Sequence, residues 1–361
     1  MNVKITPSKL IGRVNAPSSK SFSHRMIIAA ALANGISEIS NINPSADIDA
    51  TCNAMTALGA KILSDGSTYT IKGIGTPSQT ASIDCCESGS TLRFIIPVAA
   101  ALGCKSEFFG HGKLPTRPIT PYKREMAEKG IKFDHTEGIM PFTVSGKLDG
   151  GVFRLEGDIS SQFITGLLFA LPFCGESKIR LTTEIQSKSY VDITLSVMKK
   201  FGVSATWQNA GTLYLSSGQT FKAHDCTAEG DCSSAAFLDA FNFFGGSVFV
   251  GGLNAETLQG DRVYREHFEL LEKGTPVLDI ADCPDLAPIL MTVAAFKNGA
   301  RFKNTARLRM KESDRGEAMK KELSAFGAKI DVFENEIVVQ KTPLHSPERT
   351  LSSHNDHRVA M

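Results

Sequence analysis

The sequence repeats one pattern six times, and this repetition restricts the folds that the chain can adopt. In each repeat, small, hydroxylic or charged residues precede an apolar, helix-like run, as in PSSKSFSHRMIIAAALANG. The repeats can be anchored, in order, at Ser18, Gly89, Ser161, Ser233, Asp285 and Asp356. The intervals between these anchors are 71, 72, 72, 52 and 71 residues. Self-similarity at a nearly fixed period indicates one structural unit used repeatedly.

A second type of helix alternates with the first. Runs such as YVDITLSVMKKFGVSAT are amphipathic, and each ends in a glycine followed by a short β-like stretch. These glycines are Gly59, Gly130, Gly202, Gly274 and Gly327. Glycine directly after a helix supplies the left-handed position that commonly ends it. Each repeat is therefore predicted to contain two helices, the first buried and the second amphipathic.

Short strands complete the unit. The turn residues in AKILSDGSTYTIKG and VSATWQNAGTLYLSSG predict β-hairpins. Each unit of about 70 residues is then a strand, a buried helix, a strand, an amphipathic helix and a hairpin, or βαβαββ. In the fourth repeat LEKGTPV runs straight into LDIADCPD, so its hairpin is predicted to be missing. A chain of 361 residues is long enough for two domains. We predict an α/β (α+β) protein with three units in each domain.

Charge and cysteine usage exclude several classes of protein. Lys and Arg number 39 against 38 Asp and Glu, so the net charge of +1 provides no general attraction for nucleic acid or an anionic membrane. No apolar run approaches the ~18–20 residues that a membrane helix needs, and the amino terminus has no signal-like apolar region. The eight cysteines show no CxxC pairs. Reduced thiols in a cytoplasmic protein fit this usage best.

The starts of the predicted helices carry cations where cations are disfavoured. Serine and aspartate at these positions, including Ser18 and Ser19 before the first helix, are expected to be ordinary helix caps and by themselves indicate no site. Lys20, Arg25, Arg93 and Arg358, however, lie at or just inside helix N-termini, where the macrodipole already places partial positive charge. A negative group should offset them. An anionic ligand held by backbone N–H groups and cations together is the simplest partner, and phosphate is the commonest choice.

Two further segments add to this set. Arg117 stands between prolines in LPTRP, a stiff segment that holds its side chain with little loss of entropy. The run Lys311-Glu312-Ser313-Asp314-Arg315 places five polar residues before a helix, with Ser313 able to cap it. Taken alone, this run is more often a solvated helix start. The combination of the segments is what points to an anion site.

Asp285 and Glu312 are the candidate acid and base groups. Asp285, at the start of an apolar helix, is either a helix cap with a lowered pKa or, through its apolar surroundings, a desolvated base. The eight histidines show no metal-ligand spacing, so no metal is expected. The chain also lacks the GxxxxGK[ST], GxGxxG and GxSxG motifs. The residues thus favour binding of two anionic groups with proton transfer by one or two carboxylates.

The chain resembles a known family, the 5-enolpyruvylshikimate-3-phosphate synthases. The segments that carry the resemblance occur in the family's order and are PSSKSFSHR, SGSTLR, LPTRPI, SSQFITGLL, QSKSYVDIT, DCPDLAPILMT, LRMKESDR and NDHRVAM. The resemblance implies two domains of three βαβαββ units each, joined by two crossovers, in the inside-out α/β fold of enolpyruvyl transferases. It places residues 14–226 in one domain and residues 1–13 with 227–361 in the other. Helix N-termini then face a cleft that closes around ligands.

The resemblance also implies a reaction. The family transfers the carboxyvinyl group of phosphoenolpyruvate to the 5-hydroxyl of shikimate 3-phosphate and releases phosphate through a tetrahedral intermediate. Carried over by motif, Asp285 accepts the hydroxyl proton and Glu312 donates a proton, assisted by Lys20. The residues implied for shikimate 3-phosphate are Lys20, Ser21, Arg25, Ser160, Ser161, Gln162, Ser187, Tyr190, Asp285 and Lys311. Those implied for phosphoenolpyruvate are Lys20, Gly89, Arg117, Gln162, Arg315 and Arg358.

The chain departs from the family pattern at its end, in the glycine loop and at Arg307, where some relatives have an Asn. Members continue well beyond the DHRxAM motif, whereas this sequence stops at Met361, so we expect the last unit of the second domain to be incomplete. In the glycine loop the familiar Asn-Ala-Gly-Thr becomes Glu87-Ser88-Gly89-Ser90. The expected protein needs no cofactor or metal and is a monomer.

Two alternative functions stay open. One is the related carboxyvinyltransferase acting on a UDP-sugar, which should carry a cysteine in the loop that here is HGKLPTRPI. The other is a catalytically inactive anion-binding fragment.

Overall fold

The computed structural model describes residues 3–135 and 140–361. Residues 1–2 and 136–139, which belong to the segments expected for the two domains, lie outside the described residues. The chain divides into two compact units. One, the continuous unit, is Ser18–Glu229, and the other, the split unit, joins Met1–Pro17 to Gly230–Met361. The polypeptide therefore changes unit twice, near the positions 13/14 and 226/227 that the resemblance implied.

Helices and strands alternate along most of the chain. The helices are α1 (Lys20–Leu32), α2 (Ala46–Ala57), α3 (Gly89–Leu102), α4 (Thr120–Ala127), α5 (Ser161–Ala170), α6 (Lys188–Lys200), α7 (Cys232–Ala240), α8 (Tyr264–Lys273), α9 (Ala287–Phe296), α10 (Arg315–Ser324) and α11 (His357–Ala360). Short 3₁₀ turns include Leu114–Thr116, Gly260–Val263, Pro284–Leu286 and Ala306–Met310.

The strands are short. They are β1 (Ile11–Asn15), β2 (Ile36–Ser40), β3 (Lys61–Asp65), β4 (Thr68–Lys72), β5 (Thr80–Asp84), β6 (Lys105–Phe109), β7 (Lys132–His135), β8 (Phe142–Ser145), β9 (Gly151–Leu155), β10 (Ser177–Leu181), β11 (Thr206–Asn209), β12 (Thr212–Leu215), β13 (Cys226–Thr227), β14 (Ser247–Gly251), β15 (Val277–Asp279), β16 (Ala300–Lys303), β17 (Lys329–Val332) and β18 (Glu336–Gln340).

The sheets of the continuous unit confirm the predicted βαβαββ repeat. Their strand orders are β5-β6-β8-β7, β9-β10-β12-β11 and β13-β2-β4-β3. In each sheet the first two strands are parallel and the hairpin strands are antiparallel. β13 takes the place of a first strand although it lies at the far end of the unit. The first repeat is thus completed by residues almost 200 positions later in the chain.

The hairpin of the first repeat shows how local sequence sets a turn. Asp65 pairs with Thr68, which leaves Gly66 and Ser67 as a two-residue loop. Gly66 has φ of 60°, a conformation that favours glycine. Along β4, Tyr69 is buried and its neighbours alternate with it between core and solvent. The sheet therefore turns one face inward and one outward.

The first helix of each repeat lies inside the continuous unit, as predicted. α1, α3 and α5 are buried on nearly every side, so their apolar residues belong to one core. Small residues let these helices approach closely. A Cβ atom on Gly166 of α5 would lie 2.2 Å from the carbonyl oxygen of Arg93 on α3 and from the Tyr122 hydroxyl. That hydroxyl donates a hydrogen bond of 2.8 Å to the same carbonyl.

The split unit contains one full sheet and one short sheet. β15-β16-β18-β17 follows the order of the complete repeats around the buried helix α9. Within residues 3–135 and 140–361, β1 pairs with β14 alone, in parallel. Residues 274–276 alone separate α8 from β15, which leaves no room for a hairpin and confirms that the fourth repeat lacks one. No helix in the described ranges is both long and apolar enough to cross a membrane.

Replacing Gly166 by alanine tests the close contact between α3 and α5. Alanine is intrinsically the better helix former by about 1 kcal/mol, but its methyl group would overlap backbone and hydroxyl atoms. We expect Gly166→Ala to lower the free energy of unfolding by about 2–4 kcal/mol. Denaturant unfolding measures the change. Gly75→Ala is the control because a Cβ there meets open space, and equal stability of the two variants would contradict the packing.

Candidate functional site

Lys20 is the first residue of α1 and its charge is offset within the continuous unit. Its ammonium lies 2.8 Å from a carboxylate oxygen of Asp47, in the first turn of α2. The expectation that Ser18 and Ser19 cap α1 is wrong. Ser19 occupies the cap position but its hydroxyl makes no capping bond, while the Ser18 hydroxyl accepts from the backbone N–H of Asn43. The start of α1 therefore has an ion pair and no side-chain cap.

Arg25 lies one turn further along α1 and is almost fully buried. Its guanidinium donates to neutral oxygens, which are the hydroxyls of Thr165 and Thr194 and the backbone carbonyls of Ser21 and Tyr190. Burial lowers its pKa to about 10. Among the described residues no carboxylate pairs with it. A buried cation without a countercharge is costly, and an anionic ligand would offset that cost.

The starts of α3 and α5 bring several predicted residues together. Ser160 caps α5 by accepting from the N–H of Gln162, and Ser161 beside it is buried. The side-chain oxygen of Gln162 accepts from the Arg93 guanidinium at 2.6 Å, and its NH₂ group donates to Ser90 at 3.0 Å. Gln162 thus links the start of α5 to the start of α3.

Arg117 lies against the first residue of α3. A Cβ atom on Gly89 would be 2.5 Å from one terminal guanidinium nitrogen of Arg117, so the absence of a side chain at Gly89 lets the guanidinium lie against the helix start. The Nε atom of Arg117 is buried and has no hydrogen-bond partner among the described residues. This supports the prediction that Gly89 and Arg117 act at one place.

Ser187 and Tyr190 lie at the start of α6. Ser187 is buried and adopts the left-handed conformation at the cap position, with φ of 57°. The Tyr190 ring lies 5.9 Å from the Arg25 guanidinium, and its backbone carbonyl accepts from that group. Arg25 therefore joins α1 to α6 as well as to α5.

In the split unit, Arg315 is the centre of a buried ion cluster. It is the first residue of α10, and its side chain is 2% exposed. Its guanidinium contacts Asp285 at 2.6 Å, Glu312 at 3.0 Å and Asp356 at 2.9 Å. These three carboxylates raise its pKa further above the ordinary value, although burial opposes this. One cation thus positions both predicted acid and base groups.

Asp285 lies in the 3₁₀ turn that precedes α9, and it pairs with Lys311 at 2.9 Å. Burial alone would raise its pKa, but Lys311, Arg315 and Arg358 hold the pKa well below its usual range. Of the two alternatives, the lowered pKa is therefore correct, and neighbouring cations rather than a helix cap are its cause. Burial likewise opposes ionisation of Glu312, and Arg315 and Lys311 lower the pKa of that carboxyl.

The prediction that Ser313 caps α10 is wrong. Asp314 accepts from the backbone N–H of Glu317 and caps the helix, whereas the Ser313 hydroxyl donates to Asp356. Asp356 also accepts from the backbone N–H of Arg358. The Arg358 guanidinium is nearly buried and lies 3.5 Å from Asp231. The cations Lys311, Arg315 and Arg358 of the split unit therefore all lie beside carboxylates.

Comparisons with known proteins identify the family. The family model for EPSP synthase (3-phosphoshikimate 1-carboxyvinyltransferase) matches residues 5–361. The chain belongs to the EPSP synthase family. It is 40% identical to a 3-phosphoshikimate 1-carboxyvinyltransferase of Clostridium kluyveri, an alignment that covers 99% of this chain and 88% of the relative. It is 41% identical to the protein of that name from Clostridium acetobutylicum, over 99% of this chain and 89% of the relative.

A solved structure shows the same fold. The EPSP synthase of Acinetobacter baumannii superposes with a TM-score of 0.75 at 21% identity, over 98% of this chain and 88% of that one. This likeness confirms the two-domain enolpyruvyl transferase fold. Family membership makes the chain a transferase.

Sequence reasoning about this member of the EPSP synthase family missed several polar groups around the predicted residues. Asp231 and Asp261 were not predicted, and Asp356 served only as a repeat anchor. Asp261 is buried, accepts a hydrogen bond from the Ser233 hydroxyl, and leaves one oxygen without a partner among the described residues. Burial first, and then the charge of Asp285, raise its pKa to about 7. No motif marks this residue, so only the fold could reveal it.

Asp261→Asn should change how stability depends on pH. The folded carboxyl keeps its proton up to about pH 7, whereas an unfolded Asp releases it near pH 4. Folding therefore takes up a proton in this range, and this group's contribution to stability is lost as the pH rises from about 4 to 7. Asparagine does not titrate. We expect the free energy of unfolding of the variant, relative to the parent, to rise over that range by up to about 4 kcal/mol.

Urea unfolding of both proteins at several pH values between 4 and 8 measures the effect. A difference between the two proteins that stays constant with pH would contradict the raised pKa of Asp261.

Proposed function

We propose that this protein transfers the carboxyvinyl group of phosphoenolpyruvate to the 5-hydroxyl of shikimate 3-phosphate, with release of phosphate through a tetrahedral intermediate. The observation that carries the proposal is membership of the EPSP synthase family across residues 5–361. The geometry supports it, because buried cations occur at the helix starts where phosphate and carboxylate groups would bind. The product would enter the shikimate pathway of aromatic amino-acid biosynthesis.

Shikimate 3-phosphate is assigned mainly to residues of α1, α5 and α6. Arg25 carries a buried positive charge, and the described contacts leave one N–H of its guanidinium for a ligand. The phosphate would supply the charge that Arg25 lacks. The proposed contacts are Lys20, Ser21, Arg25, Ser160, Ser161, Gln162, Ser187 and Tyr190, with Asp285 and Lys311 from the split unit.

Phosphoenolpyruvate is assigned to the start of α3 and to the arginines. The Arg117 guanidinium lies against Gly89 and offers a positive charge beside backbone N–H groups at a helix N-terminus. The proposed contacts are Lys20, Gly89, Arg117, Gln162, Arg315 and Arg358. Lys20 and Gln162 would contact both substrates, which places them where the new bond forms.

Asp285 is proposed to accept the proton of the attacking hydroxyl. Its lowered pKa keeps it ionised at neutral pH, the form that a base requires. The same low pKa makes it a weak base. It cannot take a proton from a free alcohol in advance, so proton transfer must accompany formation of the bond between the hydroxyl oxygen and C2 of phosphoenolpyruvate.

Glu312 is proposed to give a proton to the methylene carbon of phosphoenolpyruvate, assisted by the Lys20 ammonium. Its lowered pKa means that it is ionised before substrates bind. Two anionic substrates beside Arg315 and Lys311 would offset the charges that lower this pKa. Substrate binding would therefore raise the pKa of Glu312 and load it with the proton that it donates. When phosphate leaves, the same carboxylate can take a proton back from that carbon.

The UDP-sugar carboxyvinyltransferase remains the alternative, but the loop from Gly110 to Ile119 contains no cysteine. The family match also favours the shikimate enzyme. We further propose a cytoplasmic monomer that needs no cofactor or metal. Its eight cysteines are free, as a reducing compartment would keep them.

Phosphate release tests the proposed reaction. We expect phosphate to appear when the protein is mixed with both phosphoenolpyruvate and shikimate 3-phosphate, and not with either alone. Substituting a UDP-sugar for shikimate 3-phosphate is the matched control. Release only with the UDP-sugar would favour the alternative enzyme, and binding of both substrates without turnover would favour the inactive anion-binding protein.

The Asp285→Asn variant tests whether Asp285 acts as the base. Asparagine keeps the size of the side chain but cannot accept the proton, so we expect kcat to fall by about 100–10,000-fold. Binding of shikimate 3-phosphate, measured by calorimetry, should persist because most of its proposed contacts lie elsewhere. An unchanged kcat would remove Asp285 from the mechanism.

A further inference from the structure

A continuous chain of polar groups crosses the core of the continuous unit beneath three helix starts. His24 of α1 lies 2.7 Å from the hydroxyl of Thr51 on α2, through its Nδ1 atom. That hydroxyl lies 2.7 Å from the Thr91 hydroxyl on α3, which donates to the Ser88 hydroxyl at 2.8 Å. All four side chains are buried. We call His24, Thr51, Thr91 and Ser88 the polar ladder.

Both ends of the ladder adjoin residues proposed to bind phosphoenolpyruvate. His24 lies one helical turn after Lys20, and Thr51 lies one turn after Asp47, so the contact between His24 and Thr51 runs beside the Lys20–Asp47 ion pair. At the other end, Ser88 is the cap of α3 and directly precedes Gly89. The ladder thus runs from beside the Lys20–Asp47 ion pair to the first turn of α3.

The single hydrogen of each hydroxyl sets the direction of the ladder. Thr91 donates to Ser88, which is closer than the Asp47 carbonyl at 3.4 Å, so the Thr51 hydrogen is directed to Thr91 or to that same carbonyl at 3.2 Å. Thr51 then has no hydrogen left for His24, so the His24 Nδ1 atom must carry the proton. The Nε2 atom is the bare nitrogen, and it has no partner among the described residues. His24 is therefore a neutral donor.

The surroundings of His24 favour that neutral form. Burial first, and then the charge of Lys20, lower its pKa to about 3. Asp47 opposes this shift and Arg25 adds to it. The ring also packs edge to face against Phe94, at 6.5 Å between centres. A run of buried hydrogen bonds favours one packing of the helices that it joins, because displacing a member leaves a polar group unpaired in the core.

We propose that His24, acting through the polar ladder, is a positioning residue that sets the relative placement of Lys20 and Gly89 for phosphoenolpyruvate. The inference rests on the proposed function for its choice of ligand. It concerns residues that themselves contact no substrate. A ligand held at both places binds well only if their spacing is correct, and small misplacements are costly.

Isosteric variants test the ladder. Thr91→Val removes one hydroxyl at constant shape, and His24→Phe removes the donor but keeps a ring against Phe94. His24→Asn should restore the donor, because its amide nitrogen reaches nearly the position of Nδ1. Ser106→Ala is the control, since it removes a buried hydroxyl that donates to the carbonyl of Cys104, away from the ladder.

The measurements are Kd for phosphoenolpyruvate by calorimetry without shikimate 3-phosphate, so that no turnover occurs, and KM and kcat from phosphate release with both substrates. For Thr91→Val and His24→Phe we expect Kd and KM for phosphoenolpyruvate to rise about tenfold, with kcat changed less than about threefold. His24→Asn should recover most of the affinity, and Ser106→Ala should retain it. The double variant should bind no worse than either single variant, because both remove one connected unit.

A second measurement does not depend on turnover. Nitrogen NMR of the imidazole should show His24 neutral and protonated at Nδ1 down to about pH 4, and Thr51→Val should shift its Nδ1 resonance. Wild-type affinity for phosphoenolpyruvate in both Thr91→Val and His24→Phe, or an Nε2-protonated ring, would overturn the inference. If the parent protein binds both substrates but releases no phosphate, the proposed function fails while the calorimetry still decides the role of His24.

Discussion

α1, α3 and α5 are enclosed by the core of the continuous unit along nearly their whole length, and α9 is enclosed in the same way in the split unit. A helix buried on every side can offer a ligand only its ends. Its N-terminal end is suited to anions, because free N–H groups and the macrodipole point there. We therefore propose that the repeated unit builds its site from residues at the helix starts, with the cations there as its main chemical feature.

Each unit stabilises its buried cations differently. In the continuous unit, Arg25 is held by hydroxyls and carbonyls, so its charge is solvated but not neutralised. In the split unit, Arg315 is shared by Asp285, Glu312 and Asp356. The first arrangement attracts an anion directly. The second ties the protonation of its carboxylates to the local charge, so that arriving anions change which groups carry protons.

The sequence predicted the repeat, the alternation of buried and amphipathic helices, the hairpins and the missing hairpin of the fourth repeat. These are local properties, set by periodicity and turn residues. The sequence predicted the hydrogen-bond roles of hydroxyl side chains less well. Ser19 and Ser313 have the residue type of a cap, but their roles depend on which groups the fold brings near them. Thr51 and Thr91 look like ordinary helical residues, and only packing makes them part of the polar ladder.

The sequence by itself determined the unit, the number of times it is used, and which side chains stand at each helix start, because spacing and residue type are properties of the chain. Only the tertiary structure decided which of those side chains form ion pairs with one another. Asp285 lies 26 residues before Lys311 and 30 before Arg315 in the chain, and its low pKa follows from contacts of 2.9 and 2.6 Å with them. Electrostatic energies depend on distance in space and on burial, and neither can be read from positions along a sequence.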